Sequence, residues 1–181
     1  RWDNNGGNDG IHLYRMRPDG SGLELLYGAG SHFTGTGGSE VQFLEPREMP
    51  DGRLLVLVRP FATTNYGGDL QFIDVDNFVE NDQPIDAAAM PGPAQRSATI
   101  NIVDTATDPS AGGRYASAFP LWDGTDRLLV SWSQCRVRST DETTGRSGIG
   151  PCTESALADE NVEAAPPLYR IWLYDLATDT Q

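Results

Sequence analysis

Short apolar runs, each cut off by Gly, Pro, Asn or Asp, recur along this chain, and almost nothing in it repeats with the 3.6-residue period of a helix. Ile11 to Met16 is one such run. The turn Pro18-Asp19-Gly20-Ser21-Gly22 follows it, and Leu23 to Tyr27 returns, so the pair reads as a hairpin with Pro and Gly where a tight turn needs them. Val41 to Leu44 is the next run. Met49-Pro50-Asp51-Gly52 then turns the chain into Leu54-Leu55-Val56-Leu57-Val58. Five consecutive aliphatics cannot alternate between core and water, so this strand is expected to be buried on both faces. Gly67-Gly68 opens Leu70 to Val75, where Asp74 and Asp76 begin the exit.

The pattern then repeats. Arg53-Leu54-Leu55-Val56 returns as Arg127-Leu128-Leu129-Val130, and Pro46 returns as Pro120, both 74 positions on. Aromatic-rich strands ending in Asp recur as well, as Leu70-Gln71-Phe72-Ile73-Asp74 and Tyr169-Arg170-Ile171-Trp172-Leu173-Tyr174-Asp175. Self-similarity of this kind marks a repeat architecture, and 74 residues exceed the ~40–50 of a usual propeller blade. Two polar excursions account for the excess, Asn77 to Tyr115 and Arg138 to Pro167.

Ile11-His12-Leu13-Tyr14-Arg15-Met16-Arg17-Pro18-Asp19-Gly20-Ser21-Gly22-Leu23 resembles the outer hairpin of TolB-type, WD-repeat-like β-propeller blades. Pro50-Asp51-Gly52-Arg53-Leu54-Leu55-Val56 is similar to the second hairpin of those blades. Asp123-Gly124-Thr125-Asp126-Arg127-Leu128-Leu129-Val130 matches it with a two-residue expansion. The form with long insertions, carrying Trp132-Ser133-Gln134-Cys135 after the inner strand, also resembles the propeller region of hydrazine synthase alpha subunit-like proteins. The CxxCH heme motifs of such enzymes do not occur here. The resemblance implies an all-β chain, a partial β-propeller of four-stranded antiparallel blades with long loop insertions. Residues 1–40 would supply outer strands of a first blade. Residues 41–114 would form a second, with its insertion at 77–115, and 115–181 a third, with its insertion at 138–167. A closed ring needs at least four blades, so this arc is expected to be completed by the rest of a longer polypeptide or by other chains.

Composition removes several functions. A net charge of −13 gives no basic face for nucleic acid. The 13 cations are all Arg, so neither a Schiff-base lysine nor a Walker lysine exists. No apolar run reaches the ~18 residues of a membrane span, and the first residues do not read as a signal peptide. The two cysteines, Cys135 and Cys152, flank a polar, Gly-rich stretch. A disulfide closing it is expected and would contribute about 3 kcal/mol, placing the protein in an oxidising, periplasmic or extracellular compartment. Two unrelated thiols are the alternative.

Candidate chemistry is sparse. No G-x-S-x-G elbow occurs, and His12 and His32 are the only imidazoles. His12 falls within a strand and reads as a packed or rim residue. His32 lies in a Gly- and Ser-rich loop, a better place for function. Asp3, Asn5 and Asp9, in a run dense in oxygen ligands and glycine, are candidate calcium ligands, although they lack EF-hand spacing and a solvated loop explains them equally. No other cofactor is expected. Glu45 and Glu48 flank Pro46-Arg47, and an Arg47–Glu48 structural pair is the plainer reading than a paired-carboxylate glycosidase. Turns beside inner strands line the mouth of a propeller, which makes Arg47, Glu48 and Trp122 candidate ligand contacts. The expected role is a non-catalytic interaction or scaffold module of a larger exported bacterial-type protein, binding a protein or small molecule through its loops. The alternative is the propeller part of a multidomain enzyme, a hydrazine synthase-like redox complex or a hydrolase with its chemistry elsewhere.

Overall fold

The computed structural model describes residues 2–4, 9–28, 41–60, 66–86, 92–140 and 144–181, with only the backbone considered for 2–4 and 9–11. The described residues are all-β, with one short helix and several sheets that are antiparallel but for one parallel strand pair in the largest. The chain forms two compact units: residues 1–66 with 70–98, and residues 67–69 with 99–181.

Unit 1 is organised by a six-stranded sheet. Its strands are β1 (Trp2–Asn4), β2 (Asp9–Ile11), β5 (Val41–Glu48), β6 (Leu54–Pro60), β7 (Asp69–Ile73) and β10 (Gln95–Ser97), hydrogen-bonded in that order. Two hairpins, β3 (Leu13–Arg15) with β4 (Glu24–Tyr27) and β8 (Phe78–Glu80) with β9 (Gln83–Pro84), stand apart from it. Strand β6 carries the five aliphatics, and Leu55, Val56, Leu57 and Val58 are all buried. Val56 and Val58 enter a core with Leu13, Tyr27, Val41, Phe43, Ile73, Phe78 and Ala94, against which Leu54 also packs. Alternation sends Leu55 and Leu57 to the opposite face, so β6 is buried on both sides, as its composition predicts. Inside that core Tyr27 meets Phe43 edge to face, with ring centroids 5.5 Å apart, and accepts a 2.9 Å hydrogen bond from Gln95 Nε2. Strand β10 lies within the predicted excursion 77–115, yet Gln95, Arg96 and Ser97 pair antiparallel with Ile73, Phe72 and Gln71 and form the sixth strand of the sheet, beside β7.

Unit 2 contains a three-stranded sheet, β11 (Arg114–Pro120), β12 (Arg127–Ser133) and β16 (Arg170–Asp175), with β12 central. Its inward face is aromatic. Tyr115 pairs with Trp132 across the ladder and stacks on it at 6.0 Å, and Trp172 meets Trp132 edge to face at 5.8 Å. The loop ahead of β11 is clamped onto this face, because Trp132 Nε1 donates to the Gly112 carbonyl at 2.9 Å. Any side chain at Gly112 or Gly113 would collide with backbone: a Cβ would fall 2.0 Å from the Ile102 oxygen or 2.2 Å from that of Ser133. Buried Asp69 ties down the same loop by accepting from the Val103 amide.

Between β12 and β16 the chain leaves the sheet and builds a second one, β14 (Ser147–Pro151), β13 (Arg136–Thr140) and β15 (Glu163–Ala164), with β13 central. The helix α1 (Glu154–Leu157) is capped by Thr153, whose hydroxyl accepts from the Ala156 amide. The predicted polar excursion 138–167 is therefore structured. Its hairpin begins with Arg136 opposite Pro151, and Cys135 and Cys152, one step outside that pair, are joined in a disulfide with Cα atoms 5.5 Å apart.

One turn design serves three hairpins. Asp19-Gly20, Asp51-Gly52 and Asp123-Gly124 each place Gly at positive φ, +84°, +87° and +77°. In each, the Asp carboxylate accepts the backbone amide two residues on, from Ser21, Arg53 and Thr125. The strand closure is shared too: Met49 N donates to Arg53 O, and Leu121 N to Arg127 O, both at 2.8 Å. Strands β7 and β16 also end alike, with Asp74 and Asp175 capping the turns that follow.

Candidate functional site

The sequence-predicted contacts occupy hairpin ends. Arg47 and Glu48 close β5, opposite Leu55 and Leu54, just after a bulge in which Glu45 takes φ +50°. Both are exposed, and as neighbours on a strand they point to opposite faces. Trp122 lies in the β11–β12 turn and is 62% exposed, a fully presented indole. Arg47 and Glu48 belong to unit 1 and Trp122 to unit 2. His12 is buried. His32 and Asn5 lie outside the described residues, as do the side chains of Asp3 and Asp9. Among the described residues no three His, Cys, Asp or Glu side chains converge as a metal site, and no helix is long and apolar enough to cross a membrane.

Three acids have carboxyls held below their ordinary range, and all three sit in the Asp-Gly turns. Asp19 is lowered first by the Ser21 amide, Asp51 by the Arg53 guanidinium, and Asp123 by the Thr125 hydroxyl. These are structural ions on an exposed surface. Burial pushes the phenols of Tyr27, Tyr115 and Tyr174 upward, Tyr174 to about 12. Each therefore stays neutral at physiological pH and acts as a hydrogen-bonding post: Tyr115 donates to Thr99, while Tyr174 donates to Asp179 and accepts from the Ile100 amide.

Two surfaces of the β11–β12–β16 sheet stand out, and sequence reading found neither. The outward face carries a row of apolar side chains in register, Phe119 opposite Leu129 and Leu129 opposite Leu173. They are 51%, 42% and 43% exposed, and Ile171, two residues along from Leu173, is 74% exposed. Strand β12 thus leaves its outward face open at Leu129, with Ser131 half-buried, whereas its counterpart β6 buries both faces.

The second surface is a cleft of about 290 Å3 at the Trp132 end of the inward face, lined by Trp132, Gln134, Arg136, Leu168, Arg170 and Trp172. Register places Arg170 directly opposite Trp132, and alternation places Trp172 on the same side as Arg170. Arg136 is half-buried and donates from Nη2 to the Pro166 carbonyl. Its Nε and the indole Nε1 of Trp172 are buried with no acceptor among the described residues. Leaving such a donor unpaired costs on the order of 1–3 kcal/mol. The only local signal in the sequence was a tryptophan in each of two strands, since the cleft forms only when β12 and β16 pair across the insertion.

The disulfide-closed insertion offers a broader groove of about 1150 Å3, lined among others by Arg138, Thr140, Ile149, Asp159 and Glu163. It is open and mixed in charge, with Arg138 opposite Glu163 across the ladder. No family model, curated protein or solved structure matches the chain.

Proposed function

We propose that this chain is an arc of a β-propeller of TolB-like blades and serves as an interaction or scaffold module of a larger exported protein. The observation that carries the reading is the exposed apolar patch of Leu129, Leu173 and Ile171 on the outward face of the β11–β12–β16 sheet. Three large apolar side chains on two paired strands are a face awaiting cover rather than scattered surface residues. Its occupant is a further β-sheet of the same repeat. In β6, the strand 74 positions earlier, entered by Asp51-Gly52-Arg53 where β12 has the two-residue-longer Asp123-Gly124-Thr125-Asp126-Arg127, both faces are covered, and propeller blades cover one another face to face. Support for the blade reading also comes from the antiparallel run β5-β6-β7-β10 within the six-stranded sheet and from the antiparallel order β11-β12-β16. The Cys135–Cys152 disulfide supports an oxidising, periplasmic or extracellular setting. In this reading partners approach the exposed turns at Arg47, Glu48 and Trp122 and the disulfide-closed insertion.

The test is a photo-crosslinking residue at position 171 in the complete polypeptide that carries this chain. The expected product is an intramolecular crosslink into another repeat of that polypeptide, mapped by peptide mass spectrometry. Crosslinks only to separate proteins, or none, would refute the proposal.

A further inference from the structure

We infer that the cleft between Trp132, Arg136, Arg170 and Trp172 is a binding site for a small carboxylate that carries a single ring. Charge is the first ground. The chain holds 26 acids against 13 arginines, yet the cleft is lined by two arginines and no carboxylate. The Arg170 guanidinium makes no ion pair or hydrogen bond among the described residues, and Arg136 spends one Nη2 donor on a neutral carbonyl. A guanidinium held this way keeps the rest of its fork for a planar acid, and two of them in one cleft attract an anion against the field of the whole protein.

The walls supply the second ground. Trp132 and Trp172 meet edge to face and form an apolar corner on which a ring can stack, and Leu168 adds apolar contact. Exposed Gln134 contributes both donor and acceptor groups at the rim. The third ground is the pair of unpaired buried donors, Trp172 Nε1 and Arg136 Nε. A small side-chain shift that lets an acceptor reach them removes a cost the fold otherwise carries. Size is the fourth: about 290 Å3 stands at the lower end of the ~300–1,000 Å3 typical of small-molecule sites, room for one ring rather than a chain of them. The apolar row proposed to meet another sheet is on the opposite face, so the two inferences stand or fall separately.

The experiment is a 15N–1H titration of the indole N–H signals of the intact chain, with Trp172 assigned by Trp172→Phe. Four probes are used: glucuronate, benzoate, glucose and acetate. Saturable movement of the Trp172 signal at millimolar glucuronate or benzoate is expected. Whichever acid binds more tightly identifies a sugar or an aromatic source. Glucose lacks the charge and acetate lacks the ring, and each should bind at least roughly tenfold more weakly. Arg170→Gln should weaken the acid by a similar factor while leaving the thermal midpoint unchanged, because Arg170 is exposed and unpaired. The inference is overturned if neither acid moves the Trp172 signal, if glucose or acetate binds as well, or if Arg170→Gln leaves the affinity unchanged.

Discussion

Replacing Cys135 and Cys152 together with Ser should loosen one sheet of unit 2 and spare its neighbour. The bond spans a sequence separation of 17, and closing a loop of that size lowers the entropy of the unfolded chain by an amount worth about 3 kcal/mol. The sheet it guards has little else to hold it. Among the residues of β13, β14 and β15 only Val137 is buried, and Ala165 adds a small apolar contact. A buried Val side chain contributes about 1.5–3 kcal/mol, whereas each residue ordered costs about 1–2 kcal/mol of backbone entropy. The five-pair ladder from Arg136↔Pro151 to Thr140↔Ser147 therefore depends on the covalent tie. Hydrogen–deuterium exchange read by mass spectrometry can compare peptides across residues 136–151 with peptides from β12 and β16. The double-Ser variant should exchange about a hundredfold faster in the hairpin, the kinetic equivalent of about 3 kcal/mol, with β12 and β16 unchanged. Unchanged hairpin rates would show that the ladder stands without the bond. Equal acceleration throughout unit 2 would show that the insertion is not a separate cooperative element.

Two further outcomes follow from the turns. Gly113→Ala and Gly124→Ala demand the same unfavourable φ, +76° and +77°, but only the first drives a Cβ to 2.2 Å from the Ser133 oxygen. In chemical denaturation Gly124→Ala should cost about 1 kcal/mol and Gly113→Ala more than about 2 kcal/mol; equal costs would refute the clamped-loop geometry. The carboxyls of Asp19, Asp51 and Asp123 are lowered from an ordinary value of 3.8. Their contribution to stability is present above that value and lost as pH falls through their lower folded values. Solvent screening keeps the effect small. A triple Asp→Asn variant should therefore show a flatter fall in thermal midpoint below pH 3.8 than the parent, and an unchanged slope would remove these turns from the acid response.

The legible parts of this molecule were local. Leu54 to Val58 announced a strand without a solvent face, and the Asp-Gly pairs at 19–20, 51–52 and 123–124 announced their turns because glycine takes the positive φ required without strain. Cys135 and Cys152 could be paired because they bracket a single turn-rich stretch. What escaped was set by distant pairing. Gln95-Arg96-Ser97 has no apolar alternation and becomes a strand only because β7 offers it an edge. The excursion after Val137 looked like a loop because its sheet buries almost nothing, so no hydrophobic period was there to read. The exposure of Leu129 was hidden for the same reason: it occupies the same motif as Leu55, and the difference lies in what covers the sheet. The cleft at Trp132 needed the pairing of Trp132 with Arg170, two residues separated by the entire insertion.

That insertion is pinched shut where it leaves the sheet. Leu168 N donates to Ser133 Oγ at 2.8 Å, Ala165 N donates to Arg136 O, and the disulfide lies just beyond. A segment fastened at its neck transmits little of its own length or composition to the strands it joins, since lengthening a closed loop costs only about 0.6 kcal/mol per doubling. The stretch between Thr140 and Ser147 is thus a place where foreign sequence can be grafted. The β11–β12–β16 frame becomes a display scaffold whose tip can be exchanged while its base stays fixed.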